Sequence, residues 1–170
     1  MAFEQVNTEL AKQIRLAAVD GLGDVADKTV WDLYGGVGDT AELLSDRGAR
    51  VCSIDSDRAA VEWGISRGSS RVKRLAGRVE ENLHRMRTPD AIVVNPPRSG
   101  LATPVTRFLE EGAKGAGGAE LRQLAYISCD PATLARDLSR MPSLTIRSLT
   151  AFDLFPQTAH VETLALLEGE

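Results

Sequence analysis

Apolar positions along the chain follow two periods that take turns. Val6, Leu10, Ile14, Ala17 and Ala18 recur at helical spacing over residues 4–20, and Gly21-Leu22-Gly23 suits a helix stop. Thr29–Leu33 is a short apolar run that enters Gly35-Gly36-Val37-Gly38, and a helix is predicted from there to about Arg47. The alternation then repeats: a strand over Arg50–Asp55, a helix over Asp57–Arg67, a strand over Arg71–Leu75, and a helical stretch from Val79 to Arg87. Ala91–Asn95 reads as a buried strand closed by Pro96-Pro97, with a helix near Pro104–Gly112 and a surface loop over the glycine-rich Lys114–Gly118. Leu124–Ser128 is a further strand, Pro131–Ser139 a helix, and Leu144–Thr150 and Val161–Leu167 two closing strands. Near-continuous apolar strands between helices predict an α/β fold, Rossmann-like: a mostly parallel seven-stranded sheet with helices on both faces. Ligands of such sheets bind beyond the carboxyl ends of the strands.

Composition narrows the class. The 170 residues are 43% hydrophobic and 26% charged, values of a soluble globular domain of ordinary size. No apolar run reaches the roughly 20 residues of a membrane span, and the N-terminus lacks a signal-peptide core. Two cysteines, Cys52 and Cys129, make neither a disulfide framework nor a metal cluster, so no metal is expected, and a cytoplasmic location fits. The net charge of −4 argues against a surface that grips nucleic acid everywhere. Seven of the 20 Lys and Arg residues nevertheless fall between Arg67 and Arg87, either as a solvated face or as a local phosphate-contacting patch.

Asp32-Leu33-Tyr34-Gly35-Gly36-Val37-Gly38-Asp39 follows the first strand. Glycines there let backbone approach a ligand, and the next helix offers its N-terminus. Asp55 ends the second strand, where an acid can accept hydrogen bonds from both ribose hydroxyls of an adenosine. Gly36 to Ala41 also fits G-x-G-x-x-[GA], so the loop by itself does not separate a nicotinamide cofactor from S-adenosyl-L-methionine. At the carboxyl end of a later strand stands Cys129, against the start of a helix with Pro131 in its first turn. The positive end of the helix dipole there favours thiolate over thiol, which would make Cys129 a nucleophile. Cys52, inside Val51–Ile54, reads as a packing residue.

Further segments carry a resemblance: Phe3-Glu4-Gln5-Val6-Asn7, Val94-Asn95-Pro96-Pro97-Arg98-Ser99-Gly100-Leu101, Ser128-Cys129-Asp130-Pro131, and Phe155-Pro156-Gln157-Thr158-Ala159-His160-Val161-Glu162. With the glycine loop, in this order, they resemble the motif set of the RNA uracil-5-methyltransferases, which form 5-methyluridine in tRNA and ribosomal RNA. The resemblance implies a class I methyltransferase fold and S-adenosyl-L-methionine as cofactor. It implies Cys129 as nucleophile and Glu162 as base, with cofactor contacts at Gln5, Tyr34, Asp55 and Asn95 beside Gly36 and Gly38 of the loop. In that chemistry a thiolate adds to uracil carbon 6, carbon 5 attacks the methyl group, and a base removes the carbon 5 proton. His160 reads as a structural or hydrogen-bonding residue, and Arg98 as a phosphate contact or a loop brace.

Departures accompany the likeness. Asn95 stands where many members have Asp, in the Asn-Pro-Pro-Arg form of enzymes that modify large-subunit ribosomal RNA. Asp130 replaces the usual Asn; it should raise the pKa of the neighbouring thiol, and it also makes a good N-cap. Asp39 and Gln157 also differ from the commoner Asn and His. Members usually carry an N-terminal RNA-binding barrel, and some an iron–sulfur cluster; neither is in these 170 residues, so a monomeric catalytic domain of a longer protein is expected. A nicotinamide-dependent oxidoreductase, from the glycine loop alone, and a non-catalytic cofactor-binding or RNA-docking module are the competing readings.

Overall fold

A computed structural model describes residues 8–85, 89–115, 121–153 and 161–169. The strands are β1 (Thr29–Leu33), β2 (Arg50–Asp55), β3 (Val72–Ala76), β4 (Ala91–Val94), β5 (Gln123–Ser128), β6 (Leu144–Phe152) and β7 (Glu162–Gly169). Between them run α1 (Thr8–Gly21), α2 (Asp39–Asp46), α3 (Arg58–Arg67), α4 (Val79–Asn82), α5 (Thr103–Ala113) and α6 (Pro131–Leu138). One seven-stranded sheet has the order β3-β2-β1-β4-β5-β7-β6. The first five strands pair in parallel, while β7 lies antiparallel between β5 and β6. The expected Rossmann-like architecture is therefore present, with the two closing strands as an antiparallel hairpin at one edge.

The apolar strands are buried because helices cover both faces. Trp31, Leu33, Cys52, Ile54, Ile92, Val94, Leu124 and Tyr126 share one core with Val105 and Leu109 of α5. Trp31 also stacks on Phe108, with 5.4 Å between ring centroids. Val30, Val51, Val72, Val93, Ala125 and Ile127 face a second core built with Ile14, Ala18 and Leu44 of α1 and α2. Burying one such aliphatic side chain contributes about 1.5–3 kcal/mol, so packing on both faces holds the strand ends in place. Cys52 is 8% exposed and belongs to the first core, as its apolar setting predicts.

Some boundaries differ from the sequence expectation. The third strand is Val72–Ala76, one residue later than predicted. The helical stretch from Val79 is α4 followed by a tight 3-10 turn, Leu83–Arg85. The first four residues predicted for α1 lie outside the described residues, as do Arg87 and most of the Lys114–Gly118 loop.

Candidate active site

The glycine loop is shaped by backbone that only some residues tolerate. Gly36 and Gly38 have φ of 57° and 91°, and Tyr34 takes φ of 62° despite its side chain. Asp55, at the end of β2, fastens this loop: one carboxylate oxygen accepts the Gly36 N–H at 2.8 Å and the other the Asp57 N–H at 2.7 Å. The Asp55 carboxylate keeps further lone pairs for a ligand. Open space lies where a Cβ on Gly36 would point.

Beneath the loop sits a buried polar row that sequence reading does not assign. Asp32, Ser53 and Arg74 are register partners across β1, β2 and β3, two residues beyond the apolar row Val30, Val51 and Val72. The Ser53 hydroxyl donates to Asp32 at 3.0 Å, and Arg74 pairs with Glu42 of α2. Burial raises the Asp32 pKa to about 7; the Ser53 hydrogen bond opposes the shift, and Asp55 and Asp39 add to it. Arg74 thus belongs to the interior rather than to a phosphate-contacting patch, while Arg67 stacks over the exposed Trp63 ring at 5.0 Å.

The second half of the site gathers at the ends of β4, β5 and β7. The Asn95 N–H donates to the Leu33 carbonyl at 3.1 Å, which ties the exposed Asn95 to the end of β1. Ser128 of β5 pairs with Thr163 of β7 at the end of this antiparallel register, Cys129 follows the one and Glu162 precedes the other, and the Glu162 carboxylate acts on the Cys129 thiol. Glu162 is 5% exposed, and burial pushes its carboxyl pKa up, with Arg98 acting the other way. Cys129 is partly buried. Asp130 caps α6 by accepting the Thr133 N–H at 2.9 Å, so the N-cap reading of this departure holds.

The electrostatics of Cys129 correct one expectation. The helix field alone predicts a thiolate, yet the thiol pKa is raised, first by burial and then by the Glu162 carboxylate. Desolvation and a like charge both disfavour the ionised sulfur. Arg98 opposes them.

The loop that carries Arg98 is locked onto α6. Thr133 Oγ1 donates to the Arg98 carbonyl at 3.1 Å, Arg136 to the Ser99 carbonyl at 2.7 Å, and the Leu101 N–H to Asp137 at 2.7 Å. Gly100, at φ of 75°, is pressed so closely against Thr133, Arg136 and Asp137 that a Cβ would collide with all three. Asp137 also accepts the Tyr126 hydroxyl at 2.8 Å and pairs with Arg136. Tyr34 reaches towards the same loop, and burial raises its pKa to about 12. The structure therefore brings Cys129, Glu162 and Arg98 together, and sets Tyr34, Gly36, Gly38, Asp55 and Asn95 at adjoining strand ends. Gln5 and His160 lie outside the described residues. Asp137 and Asp32 escape sequence reading because a lone acid in a helix or strand carries no local signal of its partners. Among the described residues no His, Cys, Asp and Glu group could hold a metal ion, and no helix is long and apolar enough to cross a membrane.

Comparisons with known proteins agree with this geometry. Residues 66–170 match the model of the tRNA (uracil-5-)-methyltransferase family. A 23S rRNA (uracil(747)-C(5))-methyltransferase of Halothiobacillus neapolitanus is 33% identical over 98% of this chain and 44% of its own length. An RNA methyltransferase of Streptomyces coelicolor is 39% identical over 98% of this chain and 37% of its own. Among solved structures, the tRNA (uracil-54, C5)-methyltransferase of Pyrococcus abyssi, in complex with S-adenosyl-L-homocysteine, superposes with a TM-score of 0.74 at 27% identity, covering 97% of this chain and 40% of that one. The chain thus spans less than half the length of these relatives.

Proposed function

The chain belongs to the tRNA (uracil-5-)-methyltransferase family, and from that premise we propose that it transfers a methyl group from S-adenosyl-L-methionine to carbon 5 of a uridine in ribosomal or transfer RNA. The observation that carries this reading is that the Glu162 carboxylate acts on the Cys129 thiol where β5 and β7 pair, Ser128 against Thr163. The residues fit the cofactor: Gly36 borders open space, and Asp55 has acceptor capacity left for ribose hydroxyls. Tyr34, Gly38 and Asn95 complete the binding wall at the strand ends. When bound, the cofactor supplies an electrophilic methyl group.

The chain supplies the rest. Cys129, as thiolate, adds to uracil carbon 6, and the ring π electrons move to carbon 5 as an enolate. Carbon 5 then takes the methyl group. Glu162 removes the carbon 5 proton, the carbon 6–sulfur bond breaks, and the thiolate is restored. A buried carboxylate with a raised pKa is a stronger base than an exposed one, which suits Glu162 to the proton removal. Gln5 and an RNA-binding segment beyond this chain belong to the same reading.

RNA carrying 5-fluorouracil tests it, because fluorine at carbon 5 cannot leave as a proton and the adduct persists. A denaturation-resistant complex is expected with the wild type and none with Cys129→Ala. A complex that survives Cys129→Ala overturns the covalent role.

A further inference from the structure

We propose that Thr133 and Arg136 of α6 are positioning residues of the methyl transfer: they fix the backbone of the loop after β4 against the helix that starts beside Cys129, so that one wall of the uridine site is built before RNA arrives. The inference rests on the reading of Cys129 as nucleophile given above. β4 and β5 are parallel neighbours, Val94 against Tyr126, so the chain leaves both at one end of the sheet. β5 runs to Ser128 and α6 opens at Pro131 under its Asp130 cap, which ties the helix directly to Cys129. One face of that helix then grips main-chain atoms of the loop. Thr133 Oγ1 donates to the Arg98 carbonyl at 3.1 Å, Arg136 donates to the Ser99 carbonyl at 2.7 Å, and Asp137 accepts the Leu101 N–H at 2.7 Å. Arg136 is itself held by two bonds to Asp137, at 3.0 and 2.7 Å. Gly100 lies flush against the same three side chains, and its N–H closes a turn onto the Pro97 carbonyl at 2.8 Å.

The loop has a second, separate fastening, from the Asn95 N–H to the Leu33 carbonyl of β1 at 3.1 Å. Its cofactor end and its nucleophile end are thus pinned independently, and α6 holds only the second. Stability does not require the bonds from Thr133 and Arg136: both lie at the exposed surface, where water satisfies a carbonyl nearly as well. What water does not supply is a fixed position. A displacement of about 1 Å in such a site costs on the order of 100-fold in rate.

Thr133→Val removes one of these bonds at equal size and leaves the Thr133 backbone N–H on its cap, Thr133→Ser keeps the hydroxyl, and Arg136→Met removes the other bond. Gly100→Ala pushes the loop off the helix from the opposite side. Hydrogen exchange of the peptide spanning Arg98–Leu101, read by mass spectrometry, needs no RNA. Methyl transfer is measured on transcripts of 23S ribosomal RNA and of tRNA, and cofactor affinity by calorimetric titration with S-adenosyl-L-homocysteine. Thr133→Val, Arg136→Met and Gly100→Ala are expected to speed exchange in that peptide and to lower kcat by about 10–100-fold, with the S-adenosyl-L-homocysteine Kd and Tm near those of the wild type. Thr133→Ser is expected to behave as the wild type. Unchanged exchange overturns the proposal, as does faster exchange at an unaltered kcat. A fall in kcat that only follows a loss of Tm or of cofactor affinity assigns these residues a purely structural role and overturns it too. A wild type that methylates neither RNA refutes the functional reading instead, and exchange still judges the clamp.

Discussion

The Asp137 carboxylate accepts the Leu101 N–H at 2.7 Å across 36 residues of sequence, with Asp137 fully buried. That contact binds the loop after β4 to α6, which starts beside Cys129. Both the Arg98 cation and the thiol therefore depend on one interior carboxylate. Asp137→Ala leaves the Tyr126 hydroxyl and the Leu101 N–H unpaired, and a loss of about 3–5 kcal/mol in urea unfolding is expected. Asp137→Asn keeps an acceptor and should cost less. Equal stability of wild type and Asp137→Ala would contradict this account of the clamp.

Asp55 joins the glycine loop to the proposed ribose site. Its replacement by alanine removes the anchor of Gly36 and the acceptor together. Removing a charged hydrogen-bond acceptor costs about 1.5–3 kcal/mol, or roughly a 10–100-fold rise in Kd. Calorimetric titration with S-adenosyl-L-homocysteine measures it, and an unaltered Kd would remove Asp55 from the cofactor site.

Asp32 makes stability depend on pH. Its folded-state pKa of about 7 lies above the ordinary carboxylate value, so the folded chain holds a proton that the unfolded chain has lost. The contribution is complete below the unfolded pKa of about 4 and is lost as pH rises towards 7, with a limiting slope of about 1.4 kcal/mol per pH unit. Ser53, Asp55, Asp39 and the Ala41 N–H are the groups that act on it. Asp32→Asn should flatten the Tm profile across that window. An equal slope in the variant would locate the dependence elsewhere.

Glu162→Gln separates addition from elimination. The amide cannot take the carbon 5 proton, so a covalent complex with ordinary uridine RNA should accumulate, and turnover should fall by about 10²–10⁴-fold. The complex is sought on denaturing gels in the presence of S-adenosyl-L-methionine. Normal turnover in Glu162→Gln would assign the base to another group.

Much of this protein is readable from local pattern. Apolar runs such as Ala91–Val94 become parallel strands because burial on both faces demands continuous apolarity, and Gly36, Gly38 and Asp55 mark the strand-end loop by residue type alone. Asp130 announces the start of α6 because a cap is a contact between near neighbours in sequence. What tertiary structure alone decided is interaction across long separations: the charges of Glu162 and Arg98 on the Cys129 thiol, Asp137 under Leu101, and Arg74 drawn inside to Glu42. The sign of the thiol's shift was decided there too. A helix dipole acts locally and follows from the order of residues, whereas desolvation and the charge of a distant strand exist only once the chain has folded.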